Sequence, residues 1–509
     1  MMSRSFAHPV ATIRACEQVL LDSQPAPDHL MRQAAHAVAL AATTLLPEDR
    51  EESVCLLVGA GGNGGDALYA GAELAARHDV HAVLLGRDGK VHERALAAFQ
   101  QAGGLVLDEL PASPLATLII DGILGIGGAG GLSPELGAWL QVAAEREIPV
   151  LAVDVPSGVD ADTGALPAHH VTADVTVTFG GLRLAHALSN ACGEVLLADI
   201  ANGQDSLSLA LLAEVLGGRS PRVETFRALA PSREWPFPLH TPHTISWRGS
   251  LEPGADDDKY TGGVVGLCAG SDTYPGAGLL TTLGAVRATS AMVRYVGPLG
   301  GDVVRAVPEV VISPTLADTG RVQAWVVGPG RGFDEAELAA LLARPEPLLI
   351  DADALTLLAR SADLRAALRD RVGQTLLTPH AGEFRRLAEA VGGLPELTTD
   401  PLAAVRALAA DLGCAVLLKG RRTIICEGAR VSVVDAGSSW AATPGSGDVL
   451  AGLLGAWMAR SGMAGVLPAV GIHGVAAWLS AQTPDGPAPT SASRIAEAIP
   501  QATARLSPG

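Results

Sequence analysis

The sequence predicts an α/β protein of two domains. Three observations predict it. Short apolar runs alternate with helix-like stretches in both halves. Gly, Asp, Asn and Ser gather where those runs end. The alternation lapses once, in a Pro- and charge-rich stretch near the middle of the 509 residues. Brief β-branched or Leu runs spaced by helical segments argue for mostly parallel sheets with helices on both faces. In such sheets ligands sit beyond the carboxyl ends of the strands, so the polar clusters are where function is to be sought.

Composition narrows the partners. Hydrophobic residues make up 48% and aromatics 4%, and the formal net charge is −18. That charge argues against nucleic acid or an anionic membrane as the main partner, while leaving room for local basic pockets. The N-terminal Met1-Met-Ser-Arg-Ser-Phe-Ala-His-Pro has no apolar signal core, and Gly, Asp or Pro is expected to interrupt every apolar run before bilayer length. Cys16, Cys55, Cys192, Cys268, Cys414 and Cys426 show no C-x-x-C pairing and read as small buried hydrophobes in a reducing cytoplasm. The expectation is a cytoplasmic, homo-oligomeric protein acting on small molecules, with no nucleic-acid or membrane partner.

In the first half, residues from about 10 to 45 read as helical, with Met31-Arg-Gln-Ala-Ala-His-Ala-Val-Ala-Leu fitting a packed entry helix. Strand-like runs follow at Val54–Val58, His81–Leu85, Leu118–Ile120, Val150–Val153 and Val175–Thr178. Three of their ends are chemically rich. The first is Gly59-Ala-Gly-Gly-Asn-Gly-Gly-Asp-Ala67, the second Asp121-Gly-Ile-Leu-Gly-Ile-Gly-Gly-Ala-Gly-Gly131, and the third Asp154-Val-Pro-Ser-Gly-Val-Asp160 with Asp162-Thr-Gly164. Any one Gly-rich turn is equally a tight βα connection. Together these clusters could bring hard oxygen ligands beside a phosphate and hold an alkali-metal or other hard cation.

From about Leu216 the pattern lapses. Residues 219–258 carry Arg219-Ser-Pro-Arg222, Trp235-Pro-Phe-Pro-Leu-His-Thr-Pro242 and Pro253-Gly-Ala-Asp-Asp-Asp258. Pro at this density disfavours helix and sheet, so an irregular connector is expected between domains at 1–218 and 259–509. Trp235, Phe237 and Trp247 indicate that it packs onto a domain.

The second half repeats the strand-then-cluster pattern. Gly263–Gly270 runs into a Gly/Pro loop, and later strands run into Gly328-Pro-Gly-Arg-Gly332, Asp351-Ala-Asp-Ala-Leu355, Thr378-Pro-His-Ala-Gly-Glu383 and Lys419-Gly-Arg-Arg-Thr423. The last cluster is Gly445-Ser-Gly-Asp448, and Val449, Leu450, Leu453, Leu454 and Trp457 behind it recur at helical spacing. A Gly-rich turn opening a helix offers free N–H groups and the positive end of the dipole, which makes an anion site. Asp448 at its mouth could take a proton from a hydroxyl facing a phosphate. The plain alternative is an N-terminal Asp after a Gly turn.

These motifs carry a resemblance. Over about residues 10 to 215 the chain resembles the epimerase domain of NAD(P)H-hydrate repair proteins, which implies a Rossmann-like, doubly wound fold. The first cluster keeps Asn63, Gly64, Gly65 and Asp66 of that family's Asn-Asn-Gly-Gly-Asp-Gly loop, with Gly62 for the first Asn and Ala67 for the last Gly. Asp154-Val-Pro-Ser-Gly158 matches its Asp-x-Pro-Ser-Gly element, and Thr178-Phe-Gly-Gly-Leu-Arg183 matches its Thr-Phe-x-x-x-Lys with Arg in place of Lys. The resemblance implies K⁺ on Asn63, Asp121 and Ser157. It implies a hydrated dinucleotide on Gly62, Asn63, Gly64, Gly65, Asp66, Gly125, Ile126, Gly127, Gly128, Ala129, Gly130, Gly131 and Asp154, with Asp154 as acid/base.

From about Lys259 to Ala496 the chain resembles the ribokinase-like dehydratase domain of the same proteins, on the joint set of its strand-end motifs with Pro308-Glu-Val310 and His473-Gly474. By that resemblance Ala277, Gly330, His380 and Asp448 contact the hydrated nicotinamide nucleotide, with Asp448 the base. Lys419, Gly420, Arg421, Arg422, Thr423 and Gly447 hold ADP or ATP, and Mg²⁺ bridges the phosphates. The implied chemistry is epimerisation of the R and S hydrates, then nucleotide-dependent dehydration of the S form. The alternative is a kinase for a small hydroxylated metabolite with a non-catalytic N-terminal domain, which would release a stable phosphorylated product.

Overall fold

A computed structural model of the chain describes residues 5–46, 52–86, 89–128, 130–200, 222–231, 233–247, 251–289 and 291–507. The described chain divides into two compact units, one formed by 5–224 with 231–242 and the other by 225–230 with 243–509.

The N-terminal unit opens with β1 (Ser5–His8), α1 (Val10–Ser23) and α2 (His29–Leu45), the predicted helical stretch being divided around Pro25 and Pro27. Strands and helices then alternate through β2 (Ser53–Val58), α3 (Gly62–Leu74), β3 (Asp79–Leu84), α4 (Glu93–Gln101), β4 (Leu105–Leu107), β5 (Leu118–Gly122), α5 (Pro134–Glu145), β6 (Val150–Val153), β7 (Val175–Phe179), β8 (Leu182–Arg183), α6 (Leu184–Leu188) and β9 (Glu194–Ala198). The connector supplies two further strands, β10 (Val223–Arg227) and β11 (Leu239–His240). The main sheet runs β11-β9-β7-β6-β5-β2-β3-β4 and is parallel except at its β11 edge. Successive residues of β2 serve opposite faces. Val54, Leu56 and Val58 pack with α2 and α3, whereas Cys55 and Leu57 pack with Trp139 and Ala143 of α5. That explains the near-continuous apolar runs. The chain winds outward from β2 to β4, then returns to build the other half from β5. The crevice is therefore expected between the carboxyl ends of β2 and β5, where the first two Gly-rich clusters lie.

The C-terminal unit follows the same logic. It comprises β12 (Val264–Cys268), α7 (Pro275–Val286), β13 (Met292–Val296), α8 (Gly300–Ala306), β14 (Val311–Ser313), β15 (Ala324–Val327), α9 (Glu335–Leu342), β16 (Leu348–Ile350), α10 (Ala352–Arg360) and α11 (Ala362–Arg369). After these come β17 (Thr375–Leu377), α12 (Ala381–Val391), α13 (Pro401–Leu412), β18 (Ala415–Leu418), β19 (Arg422–Glu427), β20 (Arg430–Asp435), α14 (Ser446–Ser461), α15 (Val466–Ser480), β21 (Gln482–Thr483), β22 (Gly486–Pro487) and α16 (Ala492–Leu506). Strands β14-β13-β12-β15-β16-β17-β18 are parallel, and β19 and β20 extend them as an antiparallel hairpin with β10 beside β20.

Two features differ from expectation. Val223–Arg227 is a strand, although it lies in the stretch read as irregular; Val-Glu-Thr-Phe-Arg alternates in the β manner and contains no Pro. The foreseen connector start, 219–221, lies outside the described residues. Ser446–Ser480 is, by length and composition alone, apolar enough to cross a membrane, contrary to the expected interruption of every such run. In the structure it is α14, a short 3₁₀ turn and α15, largely buried in the core of the unit.

Helix α14 is buried along nearly its whole length and packs on α7 closely enough that two glycines have no room for a side chain. A Cβ on Gly452 would strike the Thr281 carbonyl, and one on Gly284 the Val449 carbonyl. This close approach sets the first two turns of α14 against the middle of α7.

Candidate active sites

In the N-terminal unit, α3 begins four residues after β2 ends, with Gly62 its first residue. Asn63 Nδ2 donates to the carbonyls of Val153 (2.6 Å) and Leu124 (3.3 Å), tying α3 to the ends of β5 and β6. Asp121, at the end of β5, is buried and accepts from Ser157 N (2.7 Å), Ser157 Oγ (2.6 Å) and Ile123 N (3.2 Å). Burial pushes its carboxyl up to about 6, against the hydrogen bonds from Ser157 and Ile123. Asn63, Asp121 and Ser157 thus come together as foreseen, linked through Leu124, whose N–H donates to Ser157 Oγ (2.8 Å). An all-oxygen donor set around a buried carboxylate, with no Lys or Arg paired to Asp121 among the described residues, fits a hard monovalent cation.

Asp154 stands one residue beyond β6, in the left-handed region at φ 65°. A non-glycine residue held there is backbone strain kept by its surroundings. Thr178 Oγ1 donates to its Oδ1 (2.9 Å), and Arg183 Nη2 lies 3.1 Å from the same oxygen. Arg183 is fully buried. Its Nη1 donates to Thr178 Oγ1 (3.1 Å), Phe179 O (2.5 Å) and Gly181 O (2.6 Å), and its Nη2 to Glu17 Oε1 (2.6 Å). The fork serves two carboxylates and two carbonyls at once, which a lysine could not do. Asp66 is also buried, and burial with Asp154 and Glu17 raises its carboxyl well above the ordinary range.

The remaining predicted residues follow the loops. Gly64 and Gly65 continue α3, and Gly125, Ile126, Gly127, Gly128, Gly130 and Gly131 form the loop after β5; Ala129 lies outside the described residues. The departures from the family pattern are accommodated. Space is open where a Cβ on Gly62 would project, and Ala67 packs against Gly122, where a side chain would not fit.

In the C-terminal unit the clusters share the carboxyl edge of the parallel strands. Gly445 takes φ 82° as the N-cap of α14, and a side chain there would press on Leu280 of α7 (2.5 Å). Ser446, Gly447 and Asp448 then form the first turn; Ser446 N donates to Thr443 O (3.2 Å), which leaves the N–H groups of Gly447 and Asp448 as those the turn can offer an anion. His473 Nε2 lies 3.0 Å from Ser446 Oγ and 3.1 Å from Ser446 O, bracing the turn from beneath. Burial lowers His473 to about 4, so it is neutral.

Lys419 extends from β18 beneath this turn. Its Nζ lies 2.7 Å from Asp351 Oδ1, 3.8 Å from Glu383 Oε2 and 3.6 Å from where a Gly447 Cβ would be. Burial opposes its charge, but Asp351 and Glu383 outweigh it and hold the ammonium protonated. Burial, followed by Asp351, pushes Asp448 up to about 6, partly offset by Lys419. Ala277 and Gly330 touch each other, since a Cβ on Gly330 would lie 2.6 Å from that of Ala277. His380 caps α12: its Nδ1 accepts from Gly382 N (2.9 Å), while Glu383 Oε2 accepts from His380 N (2.8 Å); the exposed ring also brings Nε2 to 3.5 Å from Glu383 Oε1.

The adenine-nucleotide set divides. Lys419 and Gly447 meet at the anion turn. Thr423 is buried and bonds Gly420 O (3.0 Å), while Arg421 and Arg422 lean toward Asp435 at 3.7 and 3.5 Å. Side chains that the sequence reading missed are Glu17, Asp351 and Asp353 as charge partners; Asp353 accepts the Gly332 N–H (2.9 Å). The two Asp residues stood within a quoted motif, whereas nothing local marks Glu17.

Both units thus have the architecture of α/β domains that bind nucleotides at strand ends. A family model described as NAD(P)H-hydrate dehydratase matches residues 265–501, and one described as YjeF-related protein N-terminus matches 27–185. The bifunctional NAD(P)H-hydrate repair enzyme Nnr of Corynebacterium glutamicum is 47% identical, covering 98% of this chain and 98% of that one. The Mycobacterium tuberculosis protein of the same name is 46% identical over 98% and 99%. A solved ADP/ATP-dependent NAD(P)H-hydrate dehydratase from Bacillus subtilis, co-crystallised with ATP/Mg²⁺, is 27% identical with a TM-score of 0.43, covering 50% of this chain and 94% of that one. The chain belongs to the family of bifunctional NAD(P)H-hydrate repair enzymes, with an epimerase domain ahead of a dehydratase domain.

Proposed function

We propose that the C-terminal unit phosphorylates the hydroxyl of hydrated NADH or NADPH and eliminates phosphate to restore the dihydronicotinamide, and that the N-terminal unit interconverts the R and S hydrates. The observation that carries this is Asp448, a carboxyl raised toward neutrality in the first turn of α14, with Lys419 beneath it. Hydroxide is a poor leaving group and phosphate a good one. Asp448 takes the proton of the ring hydroxyl as that oxygen attacks the terminal phosphoryl group of ADP or ATP. The N–H groups of Gly447 and Asp448 and the Lys419 ammonium stabilise charge on the moving phosphoryl. The ring-nitrogen lone pair then expels phosphate. Ala277, Gly330 and the exposed ring of His380 hold the nicotinamide end, and Gly420 to Thr423 the nucleotide.

Among the described residues no group of three or more His, Cys, Asp or Glu is arranged to hold a metal by itself. Mg²⁺ fits here as a passenger of the nucleotide phosphates, with one or two of Asp351, Asp353 and Glu383 as protein ligands, and it supplies charge neutralisation. In the first unit K⁺ fits Asn63, Asp121 and Ser157 and supplies local positive charge beside the hydrate. Asp154 is the acid/base at the epimerised carbon, and Gly62 to Asp66 with Gly125 to Gly131 hold the dinucleotide. The chain is read as a cytoplasmic homo-oligomer that engages neither membrane nor nucleic acid.

The test uses a mixed-epimer NADHX preparation with K⁺ and Mg²⁺, ADP and ATP in separate cuvettes, and NADH absorbance. Complete rapid recovery of NADH with one donor is expected and names that donor. No recovery with either donor would refute the dehydratase reading. A fast partial phase followed by slow drift would leave the dehydratase standing and refute the epimerase.

A further inference from the structure

The matched YjeF-type range begins at residue 27, so α1 (Val10–Ser23) lies outside it. Yet α1 is fastened to three parts of the first site. The Val10 N–H at its start donates to Asp162 Oδ1 (2.7 Å), on the loop that follows Asp154 and Ser157. One turn on, Arg14 Nη2 donates to Ile126 O (2.9 Å), inside the Gly-rich loop after β5. A further three residues on, Glu17 Oε1 accepts from Arg183 Nη2 (2.6 Å), the nitrogen that also faces Asp154 Oδ1. Residues at this spacing share one face of a helix. The adjoining stripe, Ile13, Cys16 and Leu20, is buried, and the far side, Ala15 and Val19, is exposed.

We propose that α1 is a wall of the first site, with Arg14 and Glu17 as positioning residues: Arg14 holds the dinucleotide loop, and Glu17, through the Arg183 fork, holds Asp154 in its left-handed conformation. This rests on the reading of Asp154 as the acid/base of epimerisation. The division of labour follows from the contacts. The hydrogen bond of Arg14 goes to the loop that would cradle the dinucleotide, so its loss acts chiefly on binding. Glu17 and Asp154 share one nitrogen of the guanidinium, Nη2. Without it Arg183 is free to swing toward its carbonyl partners, and Asp154 loses its fixed orientation.

The experiment measures epimerisation of the separated R hydrate by chiral chromatography on the full-length chain with K⁺, and dehydration of the S hydrate on the same samples. R14A is expected to raise KM for the hydrate severalfold with kcat nearly unchanged, and R14K to recover much of it. E17Q is expected to lower the epimerisation kcat about ten- to hundredfold, the scale of a charged hydrogen bond, with KM nearly unchanged. Dehydration by both variants should match the parent, which shows that the chain is intact. A parental kcat in E17Q would overturn the inference. So would equal falls in kcat for both variants together with a lower melting temperature, because that pattern belongs to packing alone. If D154N epimerises normally, the reading of Asp154 fails first and this inference with it; if D154N is dead while E17Q is normal, only the inference fails.

Discussion

The two sites solve one electrostatic problem differently. Each gathers carboxylates at the carboxyl end of a parallel sheet around one buried cation. In the first, Arg183 serves Glu17 and Asp154 together with two carbonyls and a hydroxyl. In the second, Lys419 serves Asp351 and Glu383 and leaves its ammonium under the opening turn of α14. A guanidinium with both terminal nitrogens bonded is a fixture. An ammonium beside a helix N-terminus has charge to spare for an incoming anion. The difference matches the proposed chemistry, since epimerisation calls for an acid/base held in one orientation, whereas phosphoryl transfer calls for unspent positive charge.

The sharpest way to break this comparison is at Asp448. D448N should reduce dehydration by about 10²–10⁴-fold, the range for loss of a general base, while epimerisation of the R hydrate continues at the parental rate. Coupled loss of both activities would mean that the sites are not separate in function. Next is R183A, which leaves Glu17 and Asp154 without their cation. Removing one partner of a buried pair costs about 3–5 kcal/mol, so denaturant unfolding should show the N-terminal unit destabilised by that order. R183K should retain much of the stability and little of the epimerisation, because one ammonium cannot serve all the acceptors.

The shifted carboxyl gives a pH test with two opposite signs. Asp448 sits at about 6 against an ordinary 3.8. As a base it must be ionised, so dehydration should rise with pH up to about 6 and level off above it. For stability, a raised carboxyl means that the folded state holds the proton more tightly than the unfolded chain. Stability therefore falls as pH climbs from 3.8 to about 6. D448N removes that loss and should stabilise the C-terminal unit above pH 6 by roughly 1–3 kcal/mol, seen as a higher melting temperature. An inactive variant that is more stable than its parent would mark Asp448 as strained for function. The smallest expected effect is G445A. A methyl at φ 82° that also presses on Leu280 should cost about 1–2 kcal/mol and slow dehydration, leaving the first site untouched.

Much of this was legible in the sequence because strand-end chemistry is local. A βα turn carries its glycines, carboxylates and cap within ten residues, so Asn63, Asp121, Ser157, Asp154 and Asp448 could be named from their own neighbourhoods. What was hidden depends on contacts between distant segments. Glu17 and Arg183 are 166 residues apart in sequence, and no periodicity in α1 singles out that glutamate. His380 shows the converse: its neighbours disclosed a polar cluster, but only the structure shows that one ring nitrogen is spent capping α12. The hairpin β19–β20 and the strand Val223–Arg227 were passed over for a related reason. Their partners are decided by the sheet already in place, and their own composition is unremarkable beside the prolines and arginines around them.

The cysteines carry a consequence of their own. Five of the six are buried, and burial lifts the thiols of Cys55 and Cys414 to about 12 and that of Cys268 further still. Attack by peroxides and alkylating agents proceeds through the thiolate, a form that these sulfurs scarcely visit at neutral pH. None of them lies among the groups assigned to either reaction. Those three sulfurs are therefore expected to resist alkylation in the folded chain, so a thiol count in native buffer should fall short of the six read after unfolding.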